Sequence, residues 1–178
     1  MKQLWAPWRM AYIDGAASPD GCFLCRAVAD DAPADAHVVE RAELTVTLLN
    51  RFPYSSGHVM VVPRRHVPDI LALTPDEGSA VFSGLQRAVR ALDAALNPGG
   101  YNVGINQGAV AGASIEHVHL HVVPRWGGDT NFMPVLADTK VLPEHLDATA
   151  EKLRDAYSSL ATPESGTPAG TPLPDLKV

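Results

Sequence analysis

EHVHLHVVPRW, residues 116–126, is the stretch that decides the fold of this chain. Its histidines and aliphatic residues alternate strictly, His117, His119 and His121 with Val118, Leu120 and Val122. A period of two is typical of a half-buried β-strand, because successive side chains point to opposite faces. We therefore expect the three imidazoles to line one face of a strand, about 6.5–7 Å apart, with the aliphatic residues in the core. Pro124 is expected to end the strand, since proline cannot donate to a central ladder.

Three interpretations of the histidine face are open at this point. The first is a polar surface without a special role, which three histidines in strict alternation disfavour. The second is a three-histidine zinc site of the kind that some hydrolytic metalloenzymes use. The third is an imidazole nucleophile whose neighbours hold it in the reactive tautomer.

Size and composition indicate one globular domain with an extra segment at one end. The chain has 178 residues, 46% of them hydrophobic, and a formal net charge of −6. The negative charge argues against a nucleic-acid binder, because a phosphate-tracking surface needs an excess of basic groups. A small phosphorylated ligand could still meet the local basic residues Arg51, Arg64, Arg65 and Arg125.

The sequence predicts neither membrane attachment nor export. No segment approaches the roughly 18–20 apolar residues of a membrane span, and the opening MKQLWAPWRMAYI has aromatic residues and a proline in place of an apolar signal core. We therefore expect a cytoplasmic protein. In that compartment the Cys22-x-x-Cys25 pair indicates redox or metal chemistry more than a structural disulfide.

The order of the segments predicts an α+β fold, an antiparallel meander sheet with one long helix packed on it and a C-terminal helix. Strands are expected at residues 37–40, 44–49, 58–62 and 101–106, the last as a core strand, and a flexible loop at 107–113. Thr74, Pro75 and Glu77 predict the start of a helix with a capping box. One face of this helix is expected to be buried and to carry Val81, Phe82, Leu85, Ala88, Val89, Leu92 and Leu96. The opposite face is expected to be exposed to water and to carry Gln86, Arg87, Arg90 and Asp93.

We expect three regions along the chain. Residues 1–20 are predicted to be an aromatic N-terminal arm, and residues 21–157 the folded domain. The domain ends in a helix over 141–157 with Leu142, Leu146, Leu153 and Ala156 as its apolar positions. Residues 158–178 are rich in Ser, Thr, Pro and Gly and are predicted to be a disordered tail.

Two blocks of sequence resemble the histidine triad (HIT) superfamily. They are NRFPYSSGHVMVVP at residues 50–63 and NQGAVAGASIEHVHLHVVPR at 106–125, within a resemblance that runs from about residue 21 to 125. The LWAPWRM opening and the PRWGGDTNFMP continuation are similar to the bacterial diadenosine tetraphosphate phosphorylase-like branch. The resemblance implies a HIT-like fold and a homodimer.

The resemblance also implies a reaction. His119 would attack the α-phosphorus of a dinucleoside polyphosphate or related adenosine nucleotide, and water or inorganic phosphate would resolve the covalent nucleotidyl-histidine. His121 would help to hold His119 in place, and so would His58, which corresponds to the family's fourth histidine. Such an enzyme is a nucleotide hydrolase or nucleotidyltransferase without an organic cofactor. The alternatives are a nucleotide-binding regulatory protein with little turnover and a nucleoside phosphoramidate hydrolase.

The loop before the triad suits a phosphate group, because Gly108 and Gly112 allow close backbone approach and unusual dihedral angles. Ser114 and Asn106 can donate to phosphate oxygens, and by family position Asn50 would hold the ribose hydroxyls. Asn50 could instead cap a turn, and Ser114 could satisfy loop backbone. Many relatives have Gln at the position of Ala113, so one contact of the phosphoramidate hydrolases is missing here, whereas a small residue is compatible with the phosphorylase-like branch.

The cysteine pair has two alternative interpretations, a zinc site or two reduced, buried thiols. Two ligands do not make a zinc site, but the resemblance to several bacterial relatives adds His66 and His117 and implies a closed Cys₂His₂ centre. A closed structural site leaves no open position for water. Metal-activated hydrolysis would then be disfavoured, and His119 and His121 would be available for covalent chemistry.

Overall fold

The structure is a computed structural model that describes residues 21–129 and 144–160. Its helices are α1 (Phe23–Val28), α2 (Pro75–Leu96) and α3 (Leu146–Ser159), and its strands are β1 (Val38–Arg41), β2 (Thr45–Leu49), β3 (Val59–Pro63), β4 (Gly100–Ile105) and β5 (Leu120–Arg125). Single 3₁₀ turns lie at Ala34–Ala36, Ile70–Ala72 and Ala109–Ala111.

The five strands form one sheet in the order β1-β2-β3-β5-β4, with every neighbouring pair antiparallel. The first three strands form a meander. The chain then crosses through α2 to the far edge, and β5 returns between β3 and β4. The predicted α+β class, with an antiparallel sheet and helices packed on it, is confirmed.

Both faces of the central strands are covered, so their residues are buried without alternation. All five residues of β2 and all five of β3 are buried. Val59 and Val61 pack with α2 and α3 on one face, whereas Met60 and Val62 pack with α1 on the other. Strands covered on both sides are mostly apolar. The segment VMVVP of β3 accordingly has no polar side chain, and β2 adds only the buried hydroxyls of Thr45 and Thr47.

Helix α2 begins as predicted, but its buried stripe differs at two positions. The capping box is present: Glu77 N–H donates to the Thr74 hydroxyl, and Thr74 N–H donates to the Glu77 carboxylate. Phe82 is 63% exposed, so its predicted burial is wrong. It follows Val81 by one residue, about 100° around the axis, and therefore leaves the stripe that faces the sheet. Arg87 is half-buried and donates to Glu40 on β1, so its predicted exposure is wrong as well.

Strand β4 is an edge strand, which corrects its assignment to the core. Residues 102–104 are exposed, and Val103 is 51% exposed. Strand β5 also continues through Pro124 to Arg125, which corrects the prediction that Pro124 ends it. The pairing of β3 with β5 covers only Leu120 to Val122. Pro124 therefore lies where β4 is its strand neighbour, and an edge position tolerates proline.

Helix α3 confirms the predicted C-terminal helix, with Leu153 buried and Leu146 and Ala156 packed against the same core. It begins at Leu146, so the predicted helical conformation of residues 144 and 145 is wrong. It extends to Ser159, two residues into the predicted tail, and the hydroxyls of Ser158 and Ser159 both donate to the Asp155 carbonyl. The predicted arm, Leu142 and the tail beyond residue 160 lie outside the described residues. Within residues 21–129 and 144–160 there is no helix that could span a bilayer.

Candidate active site and metal centre

The triad segment enters the sheet later than predicted. Strand β5 begins only at Leu120, and the segment before it is held by a hydrogen bond from Val118 N–H to the Val67 carbonyl. His117 and His119 therefore precede the strand. The ring centroids of His119 and His121 are 4.9 Å apart, closer than the expected strand spacing, and the rings meet edge to face.

His119 is oriented by a main-chain carbonyl. Its Nδ1 lies 2.7 Å from the carbonyl oxygen of His117, and because a carbonyl can only accept, Nδ1 carries the proton and donates. The lone pair of the neutral ring is then on Nε2. The residue is buried, and burial lowers the pKa of His119 below its usual value. The result is a neutral imidazole with a nucleophilic nitrogen near pH 7.

His58 and His121 form a second imidazole pair beside it. His58 is fully buried on the segment that enters β3, and its Nε2 lies 3.0 Å from Nδ1 of His121. Burial, followed by the neighbouring His119, lowers the pKa of His121 to about 4. The three predicted catalytic histidines are therefore adjacent in the structure, His58 next to His121 and His121 next to His119.

Tyr54 is a part of the site that the sequence reasoning missed. Its ring stacks on His58 with centroids 5.1 Å apart and planes 15° apart, and its main-chain N–H donates to Nδ1 of His58 at 3.1 Å. The signal available was the turn-rich YSSG that directly precedes His58. That signal indicates a tight turn, but it does not show where a main-chain N–H points.

The loop between β4 and β5 has the backbone that its glycines predicted. Gly108 and Gly112 have φ values of +81° and +92°, in the region that favours glycine. An added Cβ on Gly108 would meet nothing within 4 Å, so this glycine serves backbone conformation and not packing. Asn106 and Ser114 are half-buried, and among the described residues neither side chain makes a hydrogen bond. The alternative role of Ser114, satisfying loop backbone, would require such a bond.

Asn50 makes the turn contact that was its alternative role. Its Oδ1 accepts the N–H of Phe52 at 2.9 Å, and its own N–H donates to the His58 carbonyl at 2.8 Å. The side-chain amide of Asn50 is thereby fixed in the turn that leads to His58. Its Nδ2 is the donor that the turn does not use.

Most of the basic residues considered for a phosphorylated ligand already bind carboxylates. Arg64 pairs with Asp30, Arg65 with Glu77 and Arg125 with Asp129. These three are therefore poor candidates for a phosphate contact. Arg51, exposed in the turn after Asn50, makes no ion pair within the described part of the chain.

The four predicted metal ligands come together. One ligand atom from each of Cys22, Cys25, His66 and His117 lies within 4.8 Å of all the others. Nδ1 of His66 is 3.1 Å from the Cys25 sulfur, and Nδ1 of His117 is 3.5 Å from Cys22 and 3.6 Å from Cys25. Ligands at zinc bonding distance in a tetrahedron stand about 3.4–3.8 Å apart. The two distances from His117 to the sulfurs lie in this range, and two cysteines with two histidines are a donor set that suits zinc.

The surroundings direct the His117 lone pair towards the sulfurs and favour the protonated form of the Cys25 thiol. Nε2 of His117 donates to the Pro63 carbonyl at 3.0 Å, so the lone pair of the neutral ring is on Nδ1, facing the sulfurs. The cysteines sit at the start of α1, which buries Leu24, Ala27 and Val28 against the sheet. Burial raises the pKa of Cys25 to about 11. A metal ion bound here would displace that proton, because a coordinated thiol is deprotonated.

Comparison with known proteins identifies the family to which this sheet, with its adjacent histidines and its Cys/His cluster, belongs. The family model described as HIT domain matches residues 32–128, and the chain belongs to that family. It is 38% identical over 172 residues to the AP-4-A phosphorylase of Mycobacterium tuberculosis, an alignment that covers 91% of this chain and 84% of that protein.

Two further relatives are informative. A Zn-bound histidine triad family protein from Mycobacterium smegmatis superposes with a TM-score of 0.64 at 30% identity, covering 81% of this chain and 96% of its own. The asymmetrical bis(5'-nucleosyl)-tetraphosphatase of Schizosaccharomyces pombe is 33% identical over 97 residues, which is 54% of this chain and 53% of that protein.

Proposed function

We propose that this protein cleaves dinucleoside polyphosphates, or related adenosine nucleotides, through a covalent intermediate on His119. The observation that carries the proposal is the 2.7 Å contact between Nδ1 of His119 and the His117 carbonyl, which gives a buried, neutral imidazole its lone pair on Nε2. The relatives named as a phosphorylase and a tetraphosphatase support this substrate class.

The reaction has two displacements at one phosphorus atom. In the first, the Nε2 lone pair of His119 forms an N–P bond while the P–O bond to the leaving nucleotide breaks and the leaving oxygen takes the electron pair. In the second, an oxygen of water or inorganic phosphate forms a new P–O bond, and the N–P pair returns to Nε2; a water molecule releases one proton to solvent as it does so. Dividing one difficult displacement into two easier ones is the advantage of a covalent intermediate.

The contacts proposed for the substrate come from the two loops beside the histidines. The backbone of Gly108 and Gly112 and the side chains of Ser114 and Asn106 would bind phosphate oxygens, and Nδ2 of Asn50 would donate to the ribose. Ala113 supplies no amide at the position where many relatives have Gln. We therefore favour phosphorolysis over phosphoramidate hydrolysis, in agreement with the relative named AP-4-A phosphorylase.

We propose zinc at Cys22, Cys25, His66 and His117, where its role would be structural cross-linking. The ring of His117 is a ligand and its carbonyl orients His119. A bound ion that holds His117 in place would therefore also hold its carbonyl oxygen, the hydrogen-bond acceptor that sets the tautomer of His119. With four protein ligands the ion would have no open position for water, so the second interpretation from the sequence, a catalytic three-histidine zinc site, is disfavoured.

We also propose a cytoplasmic homodimer. Strand β4 ends the sheet with exposed Val103, and α2 carries exposed Phe82. An open, apolar strand edge pairs readily with another chain. Sedimentation analysis of the purified protein tests this, and a monomer at micromolar concentration would contradict it.

Product analysis of diadenosine tetraphosphate cleavage, with and without inorganic phosphate, tests the reaction. Formation of ADP and ATP only with phosphate indicates phosphorolysis, whereas AMP and ATP indicate hydrolysis. His119→Ala should lower turnover at least about a thousandfold with an unchanged circular dichroism spectrum. Retained turnover in that variant would refute the covalent step. Tight AMP binding without turnover of any substrate would favour the regulatory alternative.

A further inference from the structure

The turn that leads into His58 holds that residue from several sides. Asn50 N–H donates to the His58 carbonyl, and the His58 N–H donates to the Ser55 carbonyl at 3.1 Å. Asn50 Oδ1 accepts Phe52 N–H, which closes the first half of the turn. The result is that Tyr54 N–H is directed at Nδ1 of the His58 ring, 3.1 Å away, with the Tyr54 ring stacked against it.

This single amide determines where two protons lie. A main-chain N–H can only donate, so Nδ1 of His58 must accept, and a neutral His58 carries its proton on Nε2. That nitrogen lies 3.0 Å from Nδ1 of His121. Nδ1 of His121 must then accept in turn, and the proton of a neutral His121 is on Nε2. The opposite tautomer of His58 would place two N–H donors against each other at 3.1 Å.

We propose that the main-chain N–H of Tyr54 is a positioning group for the reaction, which fixes through His58 that His121 offers an Nε2–H donor to the reacting phosphate. The inference rests on the proposed function and adds a role for a residue that carries no catalytic side chain. His119 and His121 thereby have opposite characters. A main-chain carbonyl gives His119 a lone pair on Nε2, and a main-chain amide gives His121 a proton there.

The donor acts by hydrogen bonding, and the proton stays on His121. When Nε2 of His119 forms the N–P bond, the breaking P–O bond leaves its electron pair on the leaving oxygen, and the Nε2–H of His121 donates to the charge that develops there. A nucleotide can depart as an anion, because the second pKa of a phosphate monoester is about 6. A donor placed at developing charge stabilises the transition state more than the ground state.

The direct test is the tautomeric state of the histidines in the wild-type protein labelled with ¹⁵N-histidine. Long-range ¹H–¹⁵N correlation spectra at pH 7.5 distinguish the two neutral tautomers. We expect Nε2–H for His58 and His121. An Nδ1–H tautomer at either residue overturns the proposal, whatever the enzyme turns over. Because the measurement needs no substrate, its failure is distinct from failure of the proposed function, which the phosphate-dependence of the products tests.

Variants of His58 add a rescue experiment. The amide of His58→Gln can accept from Tyr54 N–H with its oxygen and donate to His121 with its nitrogen, whereas His58→Leu can do neither. We expect His58→Leu to lower kcat about a hundredfold with little change in KM, which is the effect of losing one positioned donor. The kcat of His58→Gln should be at least about tenfold higher than that of His58→Leu. Equal losses in the two folded variants would refute the relay.

Tyr54→Pro and Tyr54→Ala form a matched pair, because both remove the ring and only proline removes the N–H. We expect the alanine variant to keep Nε2–H at His121 in the spectrum and the proline variant to lose this preference. A proline variant that keeps it contradicts the proposal. If proline prevents folding, the two His58 variants and the wild-type spectrum decide the outcome.

Discussion

Zinc should stabilise this fold by an amount set by the ratio of its free concentration to Kd. Four donors already lie within 4.8 Å of one another, so binding requires little rearrangement of the chain. A ligand that binds only the native state adds about 2.7 kcal/mol when its free concentration is 100 times Kd. A chain of 178 residues shifts its Tm by about 2–4 °C per kcal/mol. The expected rise is therefore about 5–11 °C.

The assay is thermal unfolding of chelator-treated protein in zinc buffers of defined free concentration, together with metal content by mass spectrometry. His66→Gln removes one ligand and should weaken binding more than the 10–100-fold that an outer-shell partner contributes. If Kd rises at least about 100-fold, the rise in Tm at the same free zinc should fall to about 2 °C or less.

His145→Gln is the matched control, because His145 is also an exposed histidine and lies outside the cluster. It should keep one zinc per chain and the full rise in Tm. Chelated wild-type protein whose Tm does not respond to zinc, or an equal loss of metal from both variants, would refute the structural centre and the reasoning from ligand spacing.

Three further predictions concern stability. Because burial lowers the pKa of His121 from 6.5 to about 4, the fold favours its neutral form; urea titrations should show stability falling as pH drops from about 6.5 towards 4, and less steeply in His121→Gln. The pKa of Glu77 is lowered to about 2, chiefly by its bond to an arginine, so Glu77→Gln should lower Tm at pH 7, and the difference should shrink as pH falls from about 4.5 towards 2. An added Cβ at Gly84 would lie 2.8 Å from a Val61 methyl group, whereas one at Gly78 would meet no atom within 4 Å. In chemical denaturation, Gly84→Ala should lower the free energy of unfolding by about 1–3 kcal/mol, and Gly78→Ala should raise it by about 0.5–1 kcal/mol.

The features that the sequence predicted well are those set by neighbours along the chain. The capping box of α2 joins Thr74 to Glu77, three residues away, and these residue types at this spacing are sufficient to predict where the helix begins. The positive φ of Gly108 and Gly112 is a similar case. The metal ligands lie far apart in sequence, and only the resemblance to known proteins connected His66 and His117 with the cysteines.

The features that the sequence did not predict depend on which segments become neighbours in space. Alternation indicates which residues share a face, but the pairing partner decides where a strand begins. Val118 bonds to Val67 outside the sheet, and so β5 starts only at Leu120. Strand β4 has the composition of a core strand, yet the return of β5 beside β3 leaves it at the edge. The tautomer of His58 depends on a main-chain N–H, which no residue type reveals.

Main-chain groups set the proton positions at both candidate centres. The Pro63 carbonyl accepts a hydrogen bond from Nε2–H of His117, which leaves the lone pair of that ring on Nδ1. The carbonyl of His117 accepts a hydrogen bond from Nδ1–H of His119, which leaves the lone pair of that ring on Nε2. Carbonyls and amides do not titrate, so these assignments hold wherever the rings are neutral. His117 belongs to both centres through different atoms, its ring in one and its carbonyl in the other. A change at the proposed metal ligands would therefore reach the proposed nucleophile through the position of one carbonyl oxygen, without any contact between metal and substrate.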